Sequence, residues 1–158
     1  RSAACSTGEE PYSLAMLILK FQQGFEASIL ATDIDEAALE KAKEGLYDEK
    51  AMREVDKELL ARHFKKEGDR YRIGEEIRRM VRFRKHDLLV DPYPSGFDLI
   101  LCRNVMIYFT EEAKEVLLER FGTALKPGGF LFVGSTEQIF SPNKYGLEMV
   151  VPFIYRKG

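Results

Sequence analysis

Apolar positions along the chain switch between short unbroken runs and the spacing of amphipathic helices, with no repeat and no low-complexity stretch. Ser2-Ala3-Ala4-Cys5 is a small-residue run that reads as the end of a strand, cut short at Arg1. It passes through Ser6-Thr7-Gly8 into a helix opened by Glu9, Glu10 and Pro11, where acidic side chains suit the positive end of the helix dipole and proline is tolerated. Leu14, Leu17, Ile18 and Phe21 keep helical spacing to about Gln23, and Gly24 is placed to stop the helix. Ser28 to Thr32 then reads as a buried strand, and Asp33-Ile34-Asp35 leads into a helix carrying Ala38, Leu39, Ala42 and Leu46. Further on, Phe97 to Cys102 is a strand, Thr110 caps a helix with Ala113, Val116, Leu117, Phe121 and Leu125 on its apolar face, and Pro127-Gly128-Gly129 ends it. Phe130 to Val133 resumes a strand, and Leu147 to Val151 with Phe153 to Tyr155 form a closing pair around Pro152, which suits an edge or a bulge. Strand and helix in alternation imply an α/β fold with parallel pairing.

The segment between the second helix and the Phe97 strand has a different character. From Arg53 to Lys85 there are 12 Lys and Arg against 7 Asp and Glu, a local surplus of +5 in a chain whose formal charge is −2. Arg70 to Ile73 alternates like a small strand, and Val81 to Arg84 alternates again before His86-Asp87-Leu88-Leu89. We read an inserted β-subdomain within residues 53–86 of a single domain spanning 1–158. At 158 residues the chain buries enough surface to fold without staples. Cys5 and Cys102 lie far apart with no CxxC pair and no Cys/His cluster, which excludes a disulfide scaffold and a zinc module, so no metal is expected. The longest apolar runs fall well short of the ~20 residues a membrane span needs, and no signal peptide opens the chain. The expectation is a cytoplasmic domain, monomeric and without membrane insertion, whose natural start lies upstream.

Open α/β sheets bind ligands beyond the carboxyl ends of their strands, so the loops after Cys5, Thr32, Arg84 and Cys102 are the place to look for chemistry. A dinucleotide site would want GxGxxG at the first turn; this loop has one glycine, Gly8, followed by Glu9 and Glu10. Two carboxylates there repel a pyrophosphate and attract an ammonium or sulfonium cation, which argues for S-adenosylmethionine over NAD. Asp33, at the second strand end, can accept both hydroxyl protons of a ribose. Asp87 can accept from an adenine amino group, with Leu88 covering the ring. A helix cap is the competing role for Asp33 and the preferred one for Asp35, and Glu9 can be a dipole partner only. His63 and His86 have no catalytic pattern around them, and both read as structural.

The stretches Ser2 to Ser13, Ala31 to Asp35 and Phe97 to Phe109, with Leu125 to Gly129 and Gly134-Ser135-Thr136-Glu137, resemble the chemotaxis receptor methyltransferases of the CheR family over nearly the whole chain. The resemblance implies a class I methyltransferase fold, Rossmann-like, with a mostly parallel sheet and helices on both faces. It implies S-adenosylmethionine as cofactor, and as substrate the glutamate side chains on the cytoplasmic helices of methyl-accepting chemoreceptors. Glutamate methyl esters and S-adenosylhomocysteine would be the products, in chemotaxis adaptation. Carried over by motif, Glu10 belongs to the methionyl end, Asp33 to the ribose, and Asp87 with Leu88 to the adenine, with Ala4 and Ile34 as further cofactor-binding candidates. Cys102, Arg103 and Asn104 line the cofactor and substrate side of the fourth loop, and Tyr108 projects toward the transferred methyl, which makes Tyr108 and Arg103 the catalytic candidates. The inserted segment corresponds to the family's small receptor-contacting β-subdomain. Some members use it to grip a tethering pentapeptide; the stretch Phe64 to Tyr71 lacks the longer glycine-containing loop of that grip, so a pentapeptide-independent enzyme is expected. The family's N-terminal helical domain is absent from this chain, which is expected to be the catalytic core of a longer enzyme.

A glutamate carboxylate, with an ordinary pKa of about 4.3, is already anionic at neutral pH, so its methylation needs positioning rather than a general base. On spacing alone Tyr108 serves equally well as a packing aromatic, and Arg103 as a sheet-edge salt bridge. Cys102 reads as buried rather than nucleophilic. No Asn/Asp-Pro-Pro-Tyr loop follows the Phe97 strand, which speaks against adenine or glutamine N-methylation. Two other functions stay open: a non-catalytic S-adenosylmethionine-binding module, and an RNA methyltransferase using the basic segment. The mixing of Lys and Arg with Glu and Asp in that segment disfavours nucleic acid as a partner.

Overall fold

The computed structural model describes residues 1–21 and 27–158, and the chain divides into two compact units. One is continuous, Cys5–Lys85; the other joins Arg1–Ala4 to His86–Gly158.

In the continuous unit, α1 (Glu9–Phe21) begins where expected; the stop placed at Gln23 and Gly24 lies outside the described residues. Strand β1 (Ile29–Asp33) leads to α2 (Glu36–Glu44), whose N-cap is Asp35: its carboxylate accepts from the Ala37 and Ala38 N–H groups at 2.9 and 3.2 Å. The helix stops at Gly45, which takes a left-handed φ of +65° and donates its N–H to Lys41. Leu46, expected on the helical face, instead opens β2 (Leu46–Asp48). After α3 (Lys57–His63), β3 (Phe64–Glu67) and β4 (Arg70–Ile73) form an antiparallel hairpin, and β2 pairs with the other edge of β4. This small sheet therefore draws its third strand from residues 46–48, ahead of the basic segment. A short helix, α4 (Glu75–Arg78), leads to β5 (Val81–Lys85), which leaves the small sheet and pairs parallel with β1, Ile29 opposite Val81.

The core of this unit is apolar side chains from α1, α2 and both sheets, each fully buried one contributing roughly 1.5–3 kcal/mol. Tyr12 shows how polar tips are accommodated: it is 2% exposed, meets Phe83 and Tyr47 edge-on, and donates its hydroxyl to Ala42 O at 2.6 Å. His63 is buried at the end of α3.

In the second unit, residues 1–3 run parallel to β6 (Phe97–Cys102), with Ala3 N–H donating to Leu101 O and Leu101 N–H to Arg1 O at 2.8 and 2.7 Å. On its other side β6 pairs parallel with β7 (Leu125–Val133), and the four-stranded order continues antiparallel through β9 (Ile154–Lys157) to β8 (Leu147–Val151). Between them α5 (Glu111–Ala124) is capped by the Thr110 hydroxyl, which accepts from Ala113 N–H. It ends a residue earlier than its pattern implies, because Leu125 is already opposite Phe97 in the sheet. Pro127-Gly128-Gly129 does not end the helix. It is looped out inside β7, between the Phe97–Leu125 and Leu99–Phe130 pairs, and a side chain at Gly129 would meet three backbone carbonyls within 3.2 Å. Leu117, Phe121 and Ala124 pack into a core with Ile100, Leu131, Val133 and Tyr155. His86 is 2% exposed; Arg1 Nη2 lies 2.9 Å from its Nδ1 and the Pro92 carbonyl 3.0 Å from its Nε2, a structural pairing.

Candidate functional site

The loop that leaves Cys5 is drawn to the end of β1 by one backbone bond, Cys5 N–H to Thr32 O at 2.9 Å. Ser6, in a left-handed conformation at φ +50°, then donates its N–H to Asp33 Oδ2 at 2.8 Å, while Asp35 N–H donates to Asp33 Oδ1 at 2.9 Å. Each Asp33 oxygen thus spends one acceptor direction on backbone and keeps another for a ligand hydroxyl. Gly8 sits at φ +94°, where a Cβ would come within 2.9 Å of the Ala42 Cβ and 3.0 Å of the Tyr47 hydroxyl, so only glycine brings α1 this close to α2. Tyr47 locks the same loop by donating to Thr7 O at 2.7 Å, and Thr7 donates to the Glu9 carboxylate.

Electrostatics identify what this loop favours. Burial pushes the Cys5 thiol up to about 12, and the carboxylates of Asp33, Glu10 and Glu9 add to the rise. Three carboxylates thus act on the loop at the carboxyl end of β1, which makes the lobe there acidic. Such a lobe repels a pyrophosphate; it suits a sulfonium or ammonium cation, and Asp33 suits a vicinal diol. The residues present therefore fit S-adenosylmethionine. Ile34, beside Asp33, leaves 60% of its surface open, an apolar shelf next to the diol acceptor.

In the other unit, Asp87 opens a tight turn. Its carboxylate accepts from Leu89 N–H at 2.9 Å and its own N–H donates to the Asp91 carboxylate at 2.8 Å. Arg120, on α5, clamps this turn: its guanidinium donates to Leu88 O at 2.8 Å and to Asp91 O, and lies 4.2 Å from the Tyr93 ring centroid. Tyr93 also donates to Leu88 O, and burial raises its hydroxyl to about 12. Leu88 is 8% exposed, with its side chain in the core; the open apolar side chains of the turn are Leu89 and Val90.

At the end of β6, Cys102 is fully buried, as its apolar surroundings in the sequence imply. Ala4, half-buried, follows the residues paired with the same strand. Arg103 is exposed, with its guanidinium 4.9 Å from the Phe132 ring centroid; the salt bridge weighed for it is not among the ion pairs of the described residues. Asn104 turns left-handed at φ +62°. Tyr108 closes a 3-10 turn, Met106–Tyr108, and is 80% exposed, so packing is not its role here.

Two residues that shape these loops escaped sequence reasoning, Arg120 and Glu137. Glu137 is 6% exposed, and its carboxylate accepts backbone N–H groups from Asn104, Val105, Met106 and Gly134, the last three at 3.1, 2.6 and 3.0 Å. Charge-assisted bonds of this kind are each worth roughly 1.5–3 kcal/mol. The only advance signal for Glu137 is its place in Gly134-Ser135-Thr136-Glu137, just past a strand end.

The family model described as CheR methyltransferase, SAM binding domain, matches residues 1–151. A chemotaxis protein methyltransferase of Listeria innocua is 47% identical over 156 residues, covering 99% of this chain and 60% of that protein. A chemotaxis protein methyltransferase of Borreliella burgdorferi is 38% identical over 164 residues, covering 99% of this chain and 57% of its own length. The chain thus spans about 60% of the length of these curated relatives. Among solved structures, a TehB-like SAM-dependent methyltransferase from Corynebacterium glutamicum superposes with a TM-score of 0.57 at 19% identity, covering 98% of this chain and 75% of the other. That likeness shows the fold, the class I methyltransferase architecture expected of the sequence.

Proposed function

The chain belongs to the CheR methyltransferase family through its SAM-binding domain, and from that premise we propose that it takes part in methylating glutamate side chains of a chemoreceptor's cytoplasmic domain. The observation that carries the reading is the loop at the end of β1, where Asp33 shapes the backbone and acts with Glu10 and Glu9 on Cys5. S-adenosylmethionine, when bound, supplies a methyl group activated on a sulfonium. Glu10 attracts the ammonium of the methionyl end, and Asp33 accepts from the ribose hydroxyls with Ile34 as its apolar neighbour. The turn opened by Asp87, itself half-buried, serves the adenine, with the open Leu89 rather than the buried Leu88 as its apolar side chain. Ala4, Cys102 and Asn104 are further candidate contacts for the cofactor.

The acceptor glutamate is already ionised, so no side chain has to remove a proton. What the protein must do is hold one carboxylate oxygen in line with the methyl, roughly 3–3.5 Å away. Arg103 supplies a cation for that carboxylate, and the exposed Tyr108 hydroxyl a hydrogen bond. Receptor docking falls to the small sheet of β2, β3 and β4. The hairpin joins β3 to β4 through Gly68 and Asp69 alone, which supports docking without a tethering pentapeptide. The setting is the cytoplasm, where such receptor domains lie; among the described residues no helix is long and apolar enough to cross a membrane.

Calorimetric titration with S-adenosylhomocysteine, followed by methyl transfer to a receptor cytoplasmic fragment, tests the reading. Expected are saturable binding and incorporated methyl that mild alkali releases as methanol, the behaviour of an ester. Alkali-stable label would mean N-methylation, binding without transfer would leave a non-catalytic module, and no binding, in this chain or in the natural-length protein, would end the proposal.

A further inference from the structure

The buried Glu137 carboxylate is the least expected group in the molecule. It is a buried acidic side chain, and no ion pair of the described residues includes it. What compensates it is backbone alone: Oε1 accepts from Asn104 and Gly134, and Oε2 from Val105 and Met106. Four donors occupy the four acceptor directions of a carboxylate. Three of them are consecutive residues of the loop that leaves β6, and the fourth comes from the end of the neighbouring strand β7.

The surroundings are cut to admit this arrangement. A Cβ at Gly134 would lie 2.5 Å from Asn104 Oδ1, 2.6 Å from Glu137 Oε1 and 2.9 Å from the Asn104 nitrogen, so the approach exists only because residue 134 is glycine. Asn104 turns the loop through a left-handed φ of +62°, which asparagine adopts more readily than most residues. Segment 137–139 is pinned in turn, as Ile139 N–H donates to the Tyr155 hydroxyl at 3.1 Å, and Tyr155 is 1% exposed.

We propose that Glu137 is a positioning residue: its carboxylate gathers the N–H groups of Asn104, Val105, Met106 and Gly134, and so fixes the loop that presents Arg103 and Asn104 and starts the turn bearing Tyr108. The inference rests on the methyltransferase reading for its consequence, though not for its geometry. Glu137 touches neither reactant; it sets where the residues that do so stand.

The test uses the natural-length protein and Glu137→Gln, which keeps size but faces two of the four N–H groups with an NH₂. If that variant does not fold, Glu137→Asp, which keeps the charge and shortens the reach, is read in the same way. Amide hydrogen exchange at 104–106 and 134 is expected to accelerate roughly tenfold or more. At saturating cofactor, and well below each variant's own melting midpoint, kcat is expected to fall roughly 10–100-fold through misplacement. Unchanged exchange overturns the proposal, and so does faster exchange with kcat and KM both within twofold of wild type, which would leave Glu137 a structural residue. If the wild type binds S-adenosylhomocysteine but transfers no methyl, the functional reading fails separately. Affinity then decides the inference: a roughly tenfold loss in the variant with faster exchange upholds it, and equal affinity overturns it. A wild type that binds nothing overturns both.

Discussion

Asp33 does two things with one carboxylate. It receives the Ser6 and Asp35 N–H groups, which shape the loop ahead of α1 and the entry to α2, and it keeps acceptor capacity facing outward. Asp33→Ala is therefore expected to lower stability by about 1–3 kcal/mol in denaturant titration, where an open strand-end carboxylate would have cost almost nothing. It should also weaken S-adenosylhomocysteine binding in calorimetry; full affinity in a folded variant would remove Asp33 from the cofactor's contacts. Residues of this kind were partly legible in advance. Asp35 as a helix cap follows from local chemistry, and Cys102 as a buried thiol from its apolar run. Arg120 was not legible and Glu137 only through its place in Gly134-Ser135-Thr136-Glu137, because the backbone they hold lies mostly 29 to 33 positions away, Gly134 alone being close to Glu137.

At the level of elements, the hydrophobic pattern found the strands and helices of the main sheet, left β2, α3, β3 and α4 unread, and misjudged where several elements stop. Leu46 and Leu125 both continue a helical stripe, yet both open strands. The local pattern supports either state, and pairing across the sheet decides: Leu46 is opposite Arg72, and Leu125 opposite Phe97. Gly45 makes the first switch abrupt, since a side chain there would strike Ile73. The same limit explains Pro127-Gly128-Gly129, a strong breaker signal that a strand absorbs as a bulge. Where a boundary is set locally, it can be tested locally. Thr110 caps α5 through its hydroxyl, and Thr110→Ala is expected to cost about 1 kcal/mol, read as a lower denaturant midpoint with unchanged slope. A changed slope would mean that the cap also holds structure beyond the helix.

For the molecule as a whole, the titrating groups point to weakness in alkali. Burial lifts Cys5 from 9.0 to about 12, Tyr12 and Tyr93 from 10.0 to about 12, and Tyr47 further still. Each is neutral in the folded state over a range where the unfolded chain has lost the proton. The stability they contribute is complete below the unfolded values and is lost as pH rises through them toward the folded ones. Denaturant midpoints should hold steady to about pH 9 and fall steadily towards about pH 11; a flat profile would show that these groups ionise without unfolding. Cys5, Tyr12 and Tyr47 lie in one unit and Tyr93 in the other, so both units contribute to the loss.

The route of the chain adds a matter of timing. Residues 1–3 pair with β6, Ala3 N–H donating to Leu101 O across 98 positions. A ribosome adding about 5–20 residues per second needs roughly 5–20 s to supply that partner strand, and the whole of Cys5–Lys85 emerges in between. The continuous unit can therefore complete itself during synthesis, while residues 1–3 wait for their partner strand. Translational pauses within residues 5–85 would lengthen that wait, and a holdase would find its target in the waiting strand.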